Sequence, residues 1–356
     1  VLFFSVGFLL IIGLIIITSV SSGFSLSVSG APYYYLFRYL AYVLIGIMLA
    51  FIFSKINLDL VKRYSFLALL ANLILLLIVL KIGFSSGGAT RWISIGNHVT
   101  IQPAEFIKIT FLVFLSFCLS KTADKKKKDV PLKSILFSLF FFVVSCCLLY
   151  LQPDFSSIFI LFLITAAVYF LAQTPLWHTL TLASIGLVSI VAMIKFIPYR
   201  MQRLLVFLDP EIDPMGKGYQ IKQALIAIGS GSFFGLGLGM SRQKLGFLPE
   251  PMNDTIFAVF SEEAGFIGAF LMVLLFLAFL WAGITISRQA NDKFSSLLAA
   301  GITVWIISQA FVNMGAMLRL LPLTGIALPF LSYGGSHLIA EMISVGLLFN
   351  ISKNKT

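Results

Sequence analysis

The sequence predicts an all-α polytopic membrane protein of about ten transmembrane helices, with one long extracytoplasmic loop between helices 7 and 8. Three observations predict it. Hydrophobic residues make up 59% of the chain and charged residues 11%, against roughly half and a quarter in soluble domains. Apolar runs of about 20 residues, long enough to cross a hydrocarbon core of roughly 30 Å, recur along the whole length. The ionisable residues gather mainly in the stretches between those runs.

The first run, 3–21, is longer than the core of a signal peptide and has no charged start, so it reads as a membrane helix. Its uncharged beginning leads us to expect a few native residues before Val1. Further spans follow at 36–53, 64–80, 103–120, 134–151, 155–172 and 176–195, then at 256–283, 296–318 and 336–351. Residues 1–356 are expected to form a single integral membrane domain. The preference of Lys and Arg for cytoplasmic loops places 121–133, with its run Lys125-Lys126-Lys127-Lys128, inside the cell. Alternation then puts Lys62-Arg63, Arg288 with Lys293, and Lys353 with Lys355 on that side too, so both termini are expected in the cytoplasm. The lysine run reads as a topology determinant, with a lipid or partner site as the alternative.

The net charge of +11 does not point to nucleic acid, because the basic residues are scattered through short loops without an aromatic and basic platform. Cys118, Cys146 and Cys147 lie inside apolar spans, and the adjacent pair has neither metal-site spacing nor disulfide partners. His98, His178 and His337 form no zinc signature, so no structural zinc is expected.

Chemistry is sought on the expected outer side, in loop 81–102, the long loop 196–255 and loop 319–335. A charged side chain in hydrocarbon costs at least about 2.5 kcal/mol, which makes an intramembrane ionisable residue a functional candidate. Glu105 and Lys108, three residues apart near the outer end of the fourth span, share a helical face. They read either as a structural ion pair or as part of a polar cavity for a substrate headgroup. Arg91 and Trp92 lie just upstream, and Trp92 alone would be an interfacial anchor. The string Ser241 to Asp254 carries Arg242, Lys244, Glu250 and Asp254; Asp254 reads as a cap for the helix after it, a role compatible with catalysis. Asp154 reads as the N-cap of the sixth span, with substrate contact as the lesser alternative, and Arg200 and Arg203 are placed to pair with phosphate. The segment from Pro322 through Gly335 reads as a re-entrant loop, tolerated at membrane depth only if buried in protein, with a scaffolding role. The apolar stretch Ala224 to Leu238 implies that the long loop folds back against the membrane.

Several of these strings together resemble the SEDS family of shape, elongation, division and sporulation proteins. The resemblance rests on Arg91-Trp92-Ile93 with Gln102 to Lys108, on Gln152-Pro153-Asp154, Ile226 to Gly231, Leu248-Pro249-Glu250 and Leu331 to Gly335, and it spans nearly the whole chain. Within the family, Gly235 to Lys244 is similar to the pattern of the FtsW and SpoVE branches rather than that of RodA, which favours division over elongation. The chain departs from the usual pattern at Met252, Asn253, Thr255, Arg319 and His337.

The resemblance implies a SEDS-like fold and a peptidoglycan glycosyltransferase of the bacterial plasma membrane. Such an enzyme polymerises lipid II into β-1,4-linked glycan and releases undecaprenyl diphosphate, here in cell division. It implies that Asp254 matches the essential outer-loop aspartate and that Trp92, Glu105 and Lys108 match positions lining a polar cavity. Arg200, Arg203, Arg242 and Lys244 are then candidates to stabilise the leaving diphosphate. The resemblance fixes no cofactor and leaves a divalent cation open, although no compact carboxylate cluster demands one. The implied partner is a class B penicillin-binding protein, a transpeptidase, alongside membrane lipids and other division proteins. The rival readings are a lipid II flippase, for which intramembrane charges would mark the path, a non-catalytic scaffold for a transpeptidase, and an elongation role.

Overall fold

The computed structural model describes residues 1–29, 33–86, 89–95, 99–121, 131–175, 177, 184, 186, 195 and 198–353. Helices α1 (Leu2–Ser29), α2 (Tyr34–Phe53) and α3 (Leu58–Ile82) are followed by strands β1 (Phe84–Ser86), β2 (Ala89–Ile95) and β3 (Val99–Ile101). Then come α4 (Pro103–Ser120), α5 (Leu132–Leu151), α6 (Phe155–Leu171), α7 (Pro198–Leu208) and, after a 3-10 turn at Pro210–Ile212, α8 (Lys217–Ser230). The chain closes with α9 (Ile256–Arg288), α10 (Lys293–Met317) and α11 (Gly335–Lys353). Among the described residues eight helices are long and apolar enough to cross a membrane, and α6, at 17 residues, is a shorter apolar helix. The expected span 176–195 lies almost entirely outside the described residues, as do the run Lys125 to Lys128, His98 and His178.

Loop 81–102 is where local structure departs from expectation. Rather than irregular loop it forms an antiparallel meander β1-β2-β3, pairing Phe84 with Trp92 and Ile93 with Ile101. The β-branched and aromatic residues of Thr90 to Ile93 and Val99 to Ile101 account for it, since such side chains fit a pleated surface.

The chain divides into two compact units. One comprises 45–185, 280–306 and 335–356. It is built around α4, whose Ile107, Phe111, Leu112, Leu115 and Leu119 are fully buried among α3, α5, α6 and α11. Phe66, Phe114, Phe137 and Phe141 cluster with ring centroids 5.1 to 5.9 Å apart. Gly346 of α11 lies against the backbone of Ala50, where a Cβ would collide; small residues permit such close helix approach in membranes. Asn350 Nδ2 then donates to Phe53 O (2.9 Å) and Ile56 O (2.5 Å), satisfying carbonyls at the end of α2.

The other unit comprises 1–44, 186–279 and 307–334. Segment 318–334 has no regular secondary structure, yet Leu328, Phe330, Leu331 and Ser332 are fully buried. Three of its carbonyls accept from buried side chains: Tyr39 Oη donates to Phe330 O (2.6 Å), Asn313 Nδ2 to Ile326 O (2.7 Å) and Gln309 Nε2 to Ala327 O (3.1 Å). Irregular backbone buried in protein in this way meets the condition for membrane depth.

Candidate active site

Asp254 ends the long loop, immediately before α9. The turn that carries it is pinned by its neighbours: Asn313 Nδ2 donates to Asp254 O (2.7 Å), Ser332 Oγ to Asn253 O (2.6 Å) and the Tyr333 amide to Met252 O (2.8 Å). Its carboxylate does not cap α9, in contrast to the simplest reading of the sequence. Oδ2 accepts from Gln220 Nε2 at 3.4 Å, and Oδ1, shut off from solvent, has no hydrogen-bond partner among the described residues. Asn313 and the buried segment 318–334 fix the backbone so that the side chain turns toward α8 instead of the first turn of α9.

Burial pushes the Asp254 carboxyl from 3.8 up to about 6; the Lys217 ammonium opposes the shift, Glu250 adds to it, and the hydrogen bond from Gln220 opposes it. A carboxyl raised in this way is suited to accept a proton near neutral pH. Gly325, at φ 70°, presents its backbone to the carboxylate, and a Cβ there would lie 3.9 Å from Oδ2. Arg203 Nη1 donates to Leu323 O at 3.1 Å, which ties α7 to the same loop. Glu250 is exposed and accepts from Asn253 Nδ2 at 2.6 Å.

The other candidate cations of this unit are Lys244, Arg242 and Arg200. Lys244 Nζ is committed within the chain, to Glu263 Oε1 (2.8 Å), Ser19 Oγ (2.6 Å) and Gly239 O (2.8 Å), and is 8% exposed. That corrects its expected place beside a diphosphate, because its ammonium is already neutralised and enclosed. Arg242 is exposed, and its backbone amide donates to Glu262. The side chain of Arg200 lies outside the described residues.

The remaining candidates belong to the unit built on α4. Lys108 Nζ pairs with Glu105 Oε2 at 2.7 Å and sits 5.4 Å from the centre of the Trp305 ring, with the ammonium 3% exposed and the carboxylate 13%. The expected shared helical face is therefore an ion pair. Arg91 Nε donates to Gln152 O at 3.2 Å and Nη2 to Pro153 O, so its guanidinium holds the α5–α6 turn. Trp92 is half-buried on β2. Asp154 caps α6 as expected, accepting from the Ser157 amide (3.3 Å) and hydroxyl (2.8 Å). Among the described residues no group of three or more His, Cys, Asp or Glu side chains is placed to hold a metal ion.

The sequence pattern of FtsW/RodA/SpoVE proteins, described as "Cell cycle protein", matches residues 1–356. The chain belongs to this family. It is 37% identical over 350 residues to the "Probable peptidoglycan glycosyltransferase FtsW" of Idiomarina loihiensis, covering 98% of this chain and 85% of that one. It is 38% identical over 351 residues to the "Stage V sporulation protein E" of Bacillus subtilis, covering 97% and 94%. A solved structure described as "Structural coordination of polymerization and crosslinking by a peptidoglycan synthase complex" is similar with a TM-score of 0.79 at 24% identity, over 99% of this chain and 96% of that one. The rod shape determining protein RodA of Thermus thermophilus is similar with a TM-score of 0.72 at 23% identity, over 99% and 96%. Both share the fold. As an FtsW/RodA/SpoVE protein with eight such helices among its described residues, the chain is a multi-pass membrane protein.

For this family member, sequence reasoning passed over Gln220 and Lys217, which flank the Asp254 carboxylate, and the adjacent Glu262 and Glu263, each 1% exposed. The glutamates were detectable: two carboxylates in the apolar run 256–283 meet the same intramembrane criterion that singled out Glu105. Gln220 had no such signal, since a neutral amide in a long loop is ordinary.

Proposed function

We infer that this chain is a peptidoglycan glycosyltransferase that polymerises lipid II into β-1,4-linked glycan with release of undecaprenyl diphosphate, in cell division. The observation that carries the reading is the Asp254 carboxylate, held by one oxygen, closed to solvent at the other and raised to about 6. The names of the FtsW relatives supply the reaction class. Asp254 accepts the proton of the acceptor's GlcNAc 4-hydroxyl as that oxygen bonds to the anomeric carbon of the donor's MurNAc. The bond from that carbon to the diphosphate oxygen breaks, and one displacement turns the α-linked diphosphate into a β-glycoside. The exposed Arg242 is a candidate cation for the departing diphosphate.

The positive-inside pattern of Lys62-Arg63, Arg288 with Lys293 and Lys353 supports cytoplasmic termini and, by alternation, a reaction on the outer face. A class B penicillin-binding protein is the partner that cross-links the product.

The test supplies lipid II to the purified protein with its candidate transpeptidase and compares the native chain with Asp254→Ala at matched folding. Polymer from the native chain alone is expected. Polymer at the native rate from Asp254→Ala overturns the assignment of the base. Lipid II translocation without polymer by the native complex favours the flippase reading.

A further inference from the structure

α9 is interrupted at Gly265, about two and a half turns after its start at Ile256, and the interruption is built. Gly265 takes φ 65° and ψ −168°, and a Cβ there would strike the backbone of Phe233 and Gly235; such a position is suited to glycine. The amides of Phe266 and Ile267 go to Ser232 O (2.8 Å) and Phe233 O (3.2 Å), while the carbonyls of Glu262 and Glu263 accept from the amides of Leu236 (3.0 Å) and Gly237 (3.1 Å). Backbone bonds in both directions thus knit 232–237 into the break.

The two glutamate side chains extend the same attachment toward the Asp254 segment. Glu262 accepts from the amides of Arg242 (3.1 Å) and Gln243 (3.3 Å), from Ser230 Oγ (3.4 Å) and from the hydroxyl of Ser241. Glu263 Oε1 accepts from Ser19 Oγ (2.5 Å), Lys244 Nζ (2.8 Å) and the Ser241 amide (3.4 Å). Its Oε2 is buried without a hydrogen-bond partner among the described residues. Carboxylates this buried are tolerated only where charge-assisted bonds replace water, and those bonds are directional. From the clamped turn the chain continues through Leu248 N to Gln243 O (2.9 Å), and Thr255 Oγ1 donates to Pro249 O (2.8 Å) and Glu250 O (3.0 Å). Segment 241–254 is therefore held at one end by Glu262 and Glu263 and at the other by the start of α9.

We propose that Glu262 and Glu263 are positioning residues, which clamp Ser241 to Lys244 onto the break in α9 and so hold segment 241–254, with Asp254 at its end, in reactive register. The consequence for rate rests on the reading of Asp254 as the base; the clamp does not.

Spin labels at the exposed Leu245 and Phe266, in the full chain reconstituted in lipid nanodiscs, report the clamp directly. The native chain is expected to give one narrow distance distribution, and Glu262→Ala and Glu263→Ala broad ones. In the polymerisation assay with the transpeptidase partner, the same variants should lose up to about 10²-fold in kcat, the scale of a 1 Å misplacement, with KM little changed. Glu262→Gln, which keeps an acceptor oxygen, should recover part of both and retain the acidic limb of the pH profile. Native-width distributions in both alanine variants overturn the clamp, whatever the rates. Broad distributions at native rate overturn the positioning role. Loss of the acidic limb in Glu262→Gln or Glu263→Gln also overturns it, by making that glutamate the proton acceptor. A native rate in Asp254→Ala would remove the base and with it the positioning role, while the distances still decide the clamp. Should the glutamate variants not fold, Ser19→Ala and Ser241→Ala remove one donor each without burying charge; native distributions in both overturn the proposal.

Discussion

Gln220 Nε2 donates to Asp254 Oδ2 at 3.4 Å while its own Oε1 accepts from Lys217 Nζ at 3.2 Å, so one face of α8 orients the carboxylate through a relay. Both groups favour the charged form of Asp254, against burial and the charge of Glu250. The polymerisation rate should therefore fall about tenfold per pH unit once the pH drops below about 6. Lys217→Met and Gln220→Leu should move this limb to higher pH, and Glu250→Gln to lower pH. Initial rates with lipid II across the acidic range measure all four limbs. A limb that ignores Glu250→Gln and Lys217→Met alike would assign it to another group.

The same shift has a consequence for stability. A carboxyl at 3.8 in the unfolded chain and about 6 in the folded one binds its proton more tightly when folded, so its contribution is greatest below the lower value and is lost as pH rises to the higher. At neutral pH the ionised Asp254 is a liability of at most about 3 kcal/mol, from two units at 1.36 kcal/mol each. Asp254→Asn should be inactive yet raise the thermal midpoint above pH 6, with the gain vanishing below pH 4. Midpoints in detergent at the two pH extremes check it, and an Asn variant less stable at both would contradict it.

Glu105 and Lys108 make the opposite case, a pair in which each charge compensates the other. Lys108→Met leaves a nearly buried carboxylate alone and should cost about 3–5 kcal/mol. The double change Glu105→Gln with Lys108→Met should recover most of that stability but not the polymerisation rate. Recovery of both would reduce the pair to packing.

The helical architecture was legible because a membrane span is read from composition and length alone: the spans expected at 103–120 and 336–351 reappear as Pro103–Ser120 and Gly335–Lys353. Asp154 was legible as a cap because capping is local, decided within a few residues. The surroundings of Asp254 were not, because they depend on contacts distant in sequence, from Gln220 on one side and Asn313 and Ser332 on the other. Lys244 shows the same limit. Its positive charge was visible, but its commitment to Ser19 and Glu263 is set by how α1 meets the break in α9.

Arg91 separates positioning from ligand binding most directly. Its fork reaches two successive carbonyls, Gln152 O and Pro153 O, while Gln152 Nε2 donates to Leu76 O at 2.8 Å and Asp154 caps α6. The turn between α5 and α6 is thus fixed from both sides, with Arg91 supplying charge-assisted donors to its two carbonyls. Arg91→Ala should cost about 1 kcal/mol, the net worth of hydrogen bonds to one part-buried and one exposed carbonyl. Arg91→Lys should recover little of it, because an ammonium cannot reproduce the planar fork. The polymerisation KM of any folded variant should stay near native. A raised KM with an unchanged thermal midpoint would instead place the guanidinium on the substrate's diphosphate and make its bonds to the turn incidental.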